Sequence, residues 1–80
     1  MVLQKLRPDM DIGRNIQRLR KQNSLTQNQV IAKLNLMGLN MSPSTYAKIE
    51  TNRMNIRISE LVALSIILNA EFNDFFEGLK

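Results

Sequence analysis

The segment SPSTYAKIETNR, residues 42–53, arranges short hydrogen-bonding side chains around one cation at helical spacing. On a helix that turns about 100° per residue, Ser44, Ala47, Lys48 and Thr51 fall on one side, and Tyr46, Ile49 and Glu50 on the other. The first side has no large apolar residue. It offers hydroxyls that donate or accept and an ammonium that only donates, which is chemistry for a polar partner rather than for a core. Any surface helix has a polar face, so the neighbouring residues must decide what this one touches. Covalent chemistry has little to draw on. The chain has no cysteine, hence no disulfide, thiolate metal site or cysteine nucleophile, and no histidine, hence neither the commonest general base nor the commonest metal ligand. A chain of 80 residues buries only about 60% of its unfolded surface, which leaves little of the 44% apolar composition for a deep pocket. An enzyme is not expected, and neither is a cofactor or a metal.

The charge is uneven along the chain. Residues 1–24 carry Lys5, Arg7, Arg14, Arg18, Arg20 and Lys21 against Asp9 and Asp11; residues 25–57 carry Lys33, Lys48, Arg53 and Arg57 against Glu50. The remainder reverses sign, with Glu60, Glu71, Asp74 and Glu77 against Lys80. A basic body with an acidic end suits a polyanion approached from one side, although small soluble proteins need charge in any case. No apolar run nears the roughly 20 residues that span a bilayer, and residues 1–10 lack a signal-type apolar stretch. A soluble, cytoplasmic chain is expected.

The elements that must hold the polar face are helices throughout. Ile12, Ile16 and Leu19 make an apolar stripe from Asp11 to Asn23. Thr26 and Gln29 form a capping-box pattern, after which Val30, Leu34 and Met37 continue a second helix to Gly38, a residue suited to the left-handed conformation that ends helices. Ser42 and Pro43 read as N-cap and first position of a third helix ending near Asn52. Ser59 reads as the cap of a fourth, apolar nearly all round through Leu61, Val62, Leu64, Ile67 and Leu68, and therefore expected at the centre of the fold; Asn69 can stop it. Asn73 reads as the cap of a short fifth helix with Phe75, Phe76 and Leu79. Alternating strand patterns, repeats and interdomain linkers are absent from the sequence. The expectation is a compact all-α, five-helix domain over residues 11–80, preceded by a tail over residues 1–10.

With these motifs in order, the chain resembles the lambda-repressor-like, Xre/Cro-type helix-turn-helix family. LRKQNSLTQNQV, residues 19–30, is similar to that family's LR…LTQ…L signature. SPSTYAKIETNR looks like its recognition helix, and LVALSIILNAEFNDFF, residues 61–76, is similar to its last two helices. The resemblance runs from about Asp11 to Phe76. Three features depart from the common pattern: seven residues, NLMGLNM, stand between Leu34 and Ser42 where two are usual; Ile31 stands where the family usually has Ala; and Pro43 stands where many members present a polar base-reading side chain.

The resemblance implies double-stranded DNA as partner, with the third helix in the major groove. Pro43, Ser44, Thr45, Ala47 and Lys48 would read bases, Lys48 being long enough to reach guanine O6 and N7. Gln27, Ser42, Thr51, Asn52, Arg53, Asn55 and Arg57 would touch phosphates, Gln27 with help from a helix N-terminus. Lys5 and Arg7 suit an N-terminal arm or a disordered tail, while Arg14 and Arg18 are expected on the outward face of the first helix, adding only long-range field. The family's Arg20 and Glu50 meet as a buried ion pair; Glu50, on the side of Tyr46 and Ile49, is placed inward, where it cannot repel phosphate. One such domain buries about 600–1,000 Å² on DNA, so a homodimeric regulator, a repressor by analogy, is expected. The alternative is a protein-interaction module on the same scaffold, such as an antitoxin whose partner is a toxin or co-regulator. Phe75, Phe76 and Leu79, if exposed, would serve a dimer or such a partner; core packing is the commoner use of phenylalanine.

Overall fold

A computed structural model of the chain describes residues 12–78, in which five helices follow one another without a strand. They are α1 (Ile12–Gln22), α2 (Gln27–Leu36), α3 (Pro43–Glu50), α4 (Ile58–Ile67) and α5 (Phe72–Phe75). The tail expected over residues 1–10, with Lys5 and Arg7, and Leu79 lie outside the described residues. The core joins Ile12, Ile16 and Leu19 of α1, Val30, Ile31 and Leu34 of α2, Tyr46 and Ile49 of α3, and Leu61 and Leu64 of α4. Helix α3 packs on α1 and α2, α4 on α2, and α5 on α1.

The helix starts follow local chemistry. Thr26 and Gln29 form a complete capping box: the Gln29 N–H donates to Thr26 Oγ1 at 3.1 Å and the Thr26 N–H to Gln29 Oε1 at 2.9 Å. Ser42 Oγ accepts the Thr45 N–H at 3.2 Å, with Pro43 at the first helical position. Two expected caps move. Helix α4 starts after Arg57, whose N–H donates to the Glu60 carboxylate at 2.9 Å, and α5 after Glu71, whose N–H donates to Asp74. A carboxylate three residues along reaches back to the cap N–H in both, so Ser59 and Asn73 lie inside the helices they were expected to cap.

The helix ends share one device. Ser24, Gly38, Asn52, Asn69 and Gly78 all take positive φ, between 51° and 88°. At the first four, the next residue's N–H reaches the carbonyl five residues back, from Leu25 to Arg20, Leu39 to Leu34, Arg53 to Lys48 and Ala70 to Ser65. This is the Schellman closure, which satisfies carbonyls left over at a helix end. Asn tolerates the left-handed conformation; Ser does so less well. Ser24→Gly is therefore expected to raise stability by about 0.5–1 kcal/mol, read in urea unfolding; a loss of stability would show that Ser24 is not strained.

Three expectations about burial are corrected. Met37 leaves the α2 stripe and is exposed, because the chain turns at Gly38 and sends Leu39 and Met41 back to the core instead. The six residues between α2 and α3 are held by Asn35 Oδ1, which accepts the Met41 N–H at 3.0 Å. Helix α4 is covered on one side only: Leu61, Ala63 and Leu64 are buried, whereas Ile58, Val62 and Ile66 are exposed. Phe75 is fully buried and Phe76 packs partly against the core, so neither is the free surface considered for them; the exposed ring of α5 is Phe72.

Candidate nucleic-acid interface

Helix α3 divides as its sequence suggests. Tyr46, Ile49 and Glu50 are buried, Ser44 and Lys48 are exposed, and Ala47 lies half-buried between them. At its start, Ser42 Oγ donates to Thr45 Oγ1 at 3.0 Å and lies 3.5 Å from Ser44 Oγ, so three hydroxyls cluster beside the exposed ring of Pro43. At its end, Thr51 Oγ1 donates back to the Ala47 carbonyl at 3.0 Å and accepts from Arg53 Nε at 3.2 Å. The Thr51 hydroxyl proton is thereby used within the helix end, and its oxygen orients Arg53. Arg53, Asn55 and Arg57 are exposed along the segment that follows.

No negative charge faces outward from residues 42–57, because their one carboxylate is turned inward. Arg20 Nε donates to Glu50 Oε2 at 2.7 Å and the second guanidinium nitrogen to Oε1 at 3.1 Å, a bidentate pair whose carboxylate is almost fully buried. Arg20 also donates to the Leu25 carbonyl at 2.9 Å. Burial alone would raise the Glu50 carboxyl, but the hydrogen bonds from Arg20 and Gln27, with the Tyr46 hydroxyl close by, outweigh it and hold it below the usual carboxylate range. The Tyr46 hydroxyl, sealed beside this carboxylate, lies outside ordinary hydrogen-bond geometry, and burial pushes its phenol up.

Gln27 belongs to the same cluster, since its side-chain amide donates to Glu50 Oε1 at 2.9 Å. What it leaves toward solvent is the start of α2, where the first N–H groups have no intrahelical acceptor. Asn52 has a structural duty as well: its Oδ1 accepts the Gly13 N–H at 3.2 Å, tying the end of α3 to the start of α1. There the two backbones touch, and a Cβ on Gly13 would overlap the Ile49 and Glu50 carbonyl oxygens.

Arg18 was expected to face outward, adding only long-range field. Instead it pairs with Glu77 at 3.3 Å and donates to the Asp74 carbonyl at 3.2 Å, which cancels much of its field and fastens α1 to the acidic end. Asn15 extends this fastening, donating to the carbonyls of Phe75 at 2.7 Å and Glu77 at 3.0 Å. Sequence reading missed Gly13 and Asn15. The available signal was a glycine and an asparagine in the first turns of a helix, where neither favours helix formation.

The groups of the site are an exposed face of small hydroxyls around Lys48, two exposed arginines in the segment after it, the start of α2 tied to α3 through Gln27 and Glu50, and a buried ion pair joining α1 to α3. Among the described residues no group of acidic, histidine or cysteine side chains could hold a metal, and no helix is long and apolar enough to cross a membrane. A family model described as helix-turn-helix matches residues 16–75. Searches of curated proteins and of solved structures gave no match.

Proposed function

Because the chain belongs to the lambda-repressor-like, Xre/Cro-type helix-turn-helix family of DNA-binding regulators, we propose that it is a cytoplasmic, homodimeric transcriptional repressor that reads its operator with α3. The observation that carries this reading is the exposed side of α3 and its following loop, where Lys48, Arg53 and Arg57 stand without an outward carboxylate. In a major groove, Pro43, Ser44 and Ala47 are small enough to let the helix backbone approach, Thr45 lies at the boundary of the two sides, and Lys48 reaches a base edge. The start of α2 at Gln27, the cap at Ser42, and Thr51, Asn52, Arg53, Asn55 and Arg57 lie where the phosphate backbones pass. The side-chain amide of Gln27 is engaged with Glu50, so its backbone N–H at the start of α2 serves that contact. As a two-fold dimer the protein would set its two α3 helices about 34 Å apart, in successive major grooves.

The test separates Lys48 from Arg53 in titrations against an operator recovered from a random DNA pool and against a scrambled duplex, at several salt concentrations. Lys48→Ala is expected to lose about 1–3 kcal/mol on the operator and to relax preference at one base pair. Arg53→Ala is expected to weaken both duplexes alike and to reduce the slope of log affinity against log salt by about one unit. Equal weakening of both duplexes by Lys48→Ala would place this face elsewhere than in the groove.

A further inference from the structure

The outer side of α4 carries three exposed large apolar side chains on one helix, whereas the others, Leu36, Met37, Met54 and Phe72, lie outside it. Ile58, Val62 and Ile66 are 51%, 42% and 64% exposed and recur every four residues, so they form one stripe, with Ser59 and Ser65 on its flanks. No charged side chain lies within the stripe, since Glu60 turns back to the helix start at the Arg57 N–H. The Ser65 hydroxyl donates to the Val62 carbonyl at 2.6 Å, so covering it would leave no unsatisfied donor. DNA would not be drawn to a face of this kind. A protein surface of matching pattern would.

The pattern names its own partner. Read outward from Val62, the face is the same in both directions: Ser65 answers Ser59 and Ile66 answers Ile58. Two copies of α4 laid antiparallel across a two-fold axis at Val62 would place each isoleucine against the other copy's opposite isoleucine, and the small serines would let the helices approach closely. That is the self-complementarity an isologous interface requires, in which residue i meets residue j and j meets i. The ends also match in charge: the basic start of one helix, at Arg57, would point toward the acidic segment after the other, at Glu71.

We propose that the exposed face of α4 is a homodimer interface in which Ile58, Val62 and Ile66 of two copies pack antiparallel about a two-fold axis. This rests on the homodimer reading above and supplies its surface. One helix face buries on the order of 400 Å² per copy, about half of a standard interface, so the free dimer is weak and DNA bearing two adjacent half-sites strengthens it.

The chain has no cysteine, which makes cross-linking decisive. Val62→Cys places two thiols on the axis, and oxidised glutathione should join them into a disulfide dimer. Leu36→Cys, on the 87% exposed side chain of α2, should stay monomeric under the same treatment. Val62→Glu, which sets like charges against each other, should raise the dimer dissociation constant about a hundredfold or more in sedimentation at high protein concentration, with helix content unchanged. A wild-type dimer that neither cross-links through Val62→Cys nor weakens with Val62→Glu would overturn the interface while leaving the homodimer reading intact. Cross-linking through Val62→Cys in a protein that binds no DNA would uphold the interface and remove the regulator reading. A wild-type protein that stays monomeric at millimolar concentration, both free and on an inverted repeat, would overturn the interface and the homodimer together.

Discussion

Glu50→Ala is expected to destabilise the free protein by about 3–5 kcal/mol, because it strands the Arg20 guanidinium in a site it cannot leave. Arg20 would keep its bond to the Leu25 carbonyl, but the two donors now spent on the carboxylate, and the Gln27 amide, would lose their acceptor. For a domain this small the loss corresponds to a fall of roughly 20 °C in melting temperature. Glu50→Gln keeps an acceptor oxygen and should cost less, which separates charge from shape. The pair also sets an acid limit. A carboxyl held below its ordinary value contributes stability that is complete above about pH 5 and is lost as pH falls below the ordinary glutamate value of about 4.3 and through the depressed one. Chemical unfolding across pH 2–7 should show this loss in the wild type and a shallower one in Glu50→Gln. An unchanged melting temperature in Glu50→Ala would mean that the pair is solvated.

Gly13→Ala is the second large effect expected, about 2–3 kcal/mol of destabilisation. In an open helix this substitution would gain nearly 1 kcal/mol from helix propensity. Here the added methyl meets the Ile49 and Glu50 carbonyl oxygens, and a backbone cannot rotate out of the way as a side chain can. The first turn of α1 must lift from the end of α3, stretching the bond between the Gly13 N–H and Asn52 Oδ1. Since Arg53 follows Asn52, DNA affinity should fall along with stability. Gly38→Ala is the control: Gly38 has φ +88° with open space where a Cβ would stand, so it should cost only the left-handed strain, about 1–2 kcal/mol. Thermal melts of the two variants rank the effects, and Gly38→Ala costing more than Gly13→Ala would refute the contact.

What the sequence determined by itself was whatever a few neighbouring residues decide among themselves. The Thr26–Gln29 box, the Ser42–Pro43 start, the stops at Gly38, Asn52 and Asn69, and the division of α3 into a packed and a polar side all depend on groups within about five residues. Backbone N–H and carbonyl groups at a helix end must find partners locally or in water, so a short segment carries the answer. Apart from the Arg20–Glu50 pair, which the family resemblance implied, tertiary structure decided what needed a distant partner: Arg18 with Glu77, 59 residues away, Asn15 with the end of α5, and Gly13 against α3 with Asn52. Periodicity also told which side of each helix was apolar but not whether anything covered it. Helix α4 is apolar nearly all round, yet a fold with one small core covers only the side carrying Leu61, Ala63 and Leu64 and leaves Ile58, Val62 and Ile66 in water; Phe75, on a helix of four residues, is sealed because α1 lies across it. Burial is set by how many elements converge on a point, and a linear pattern holds no record of that number.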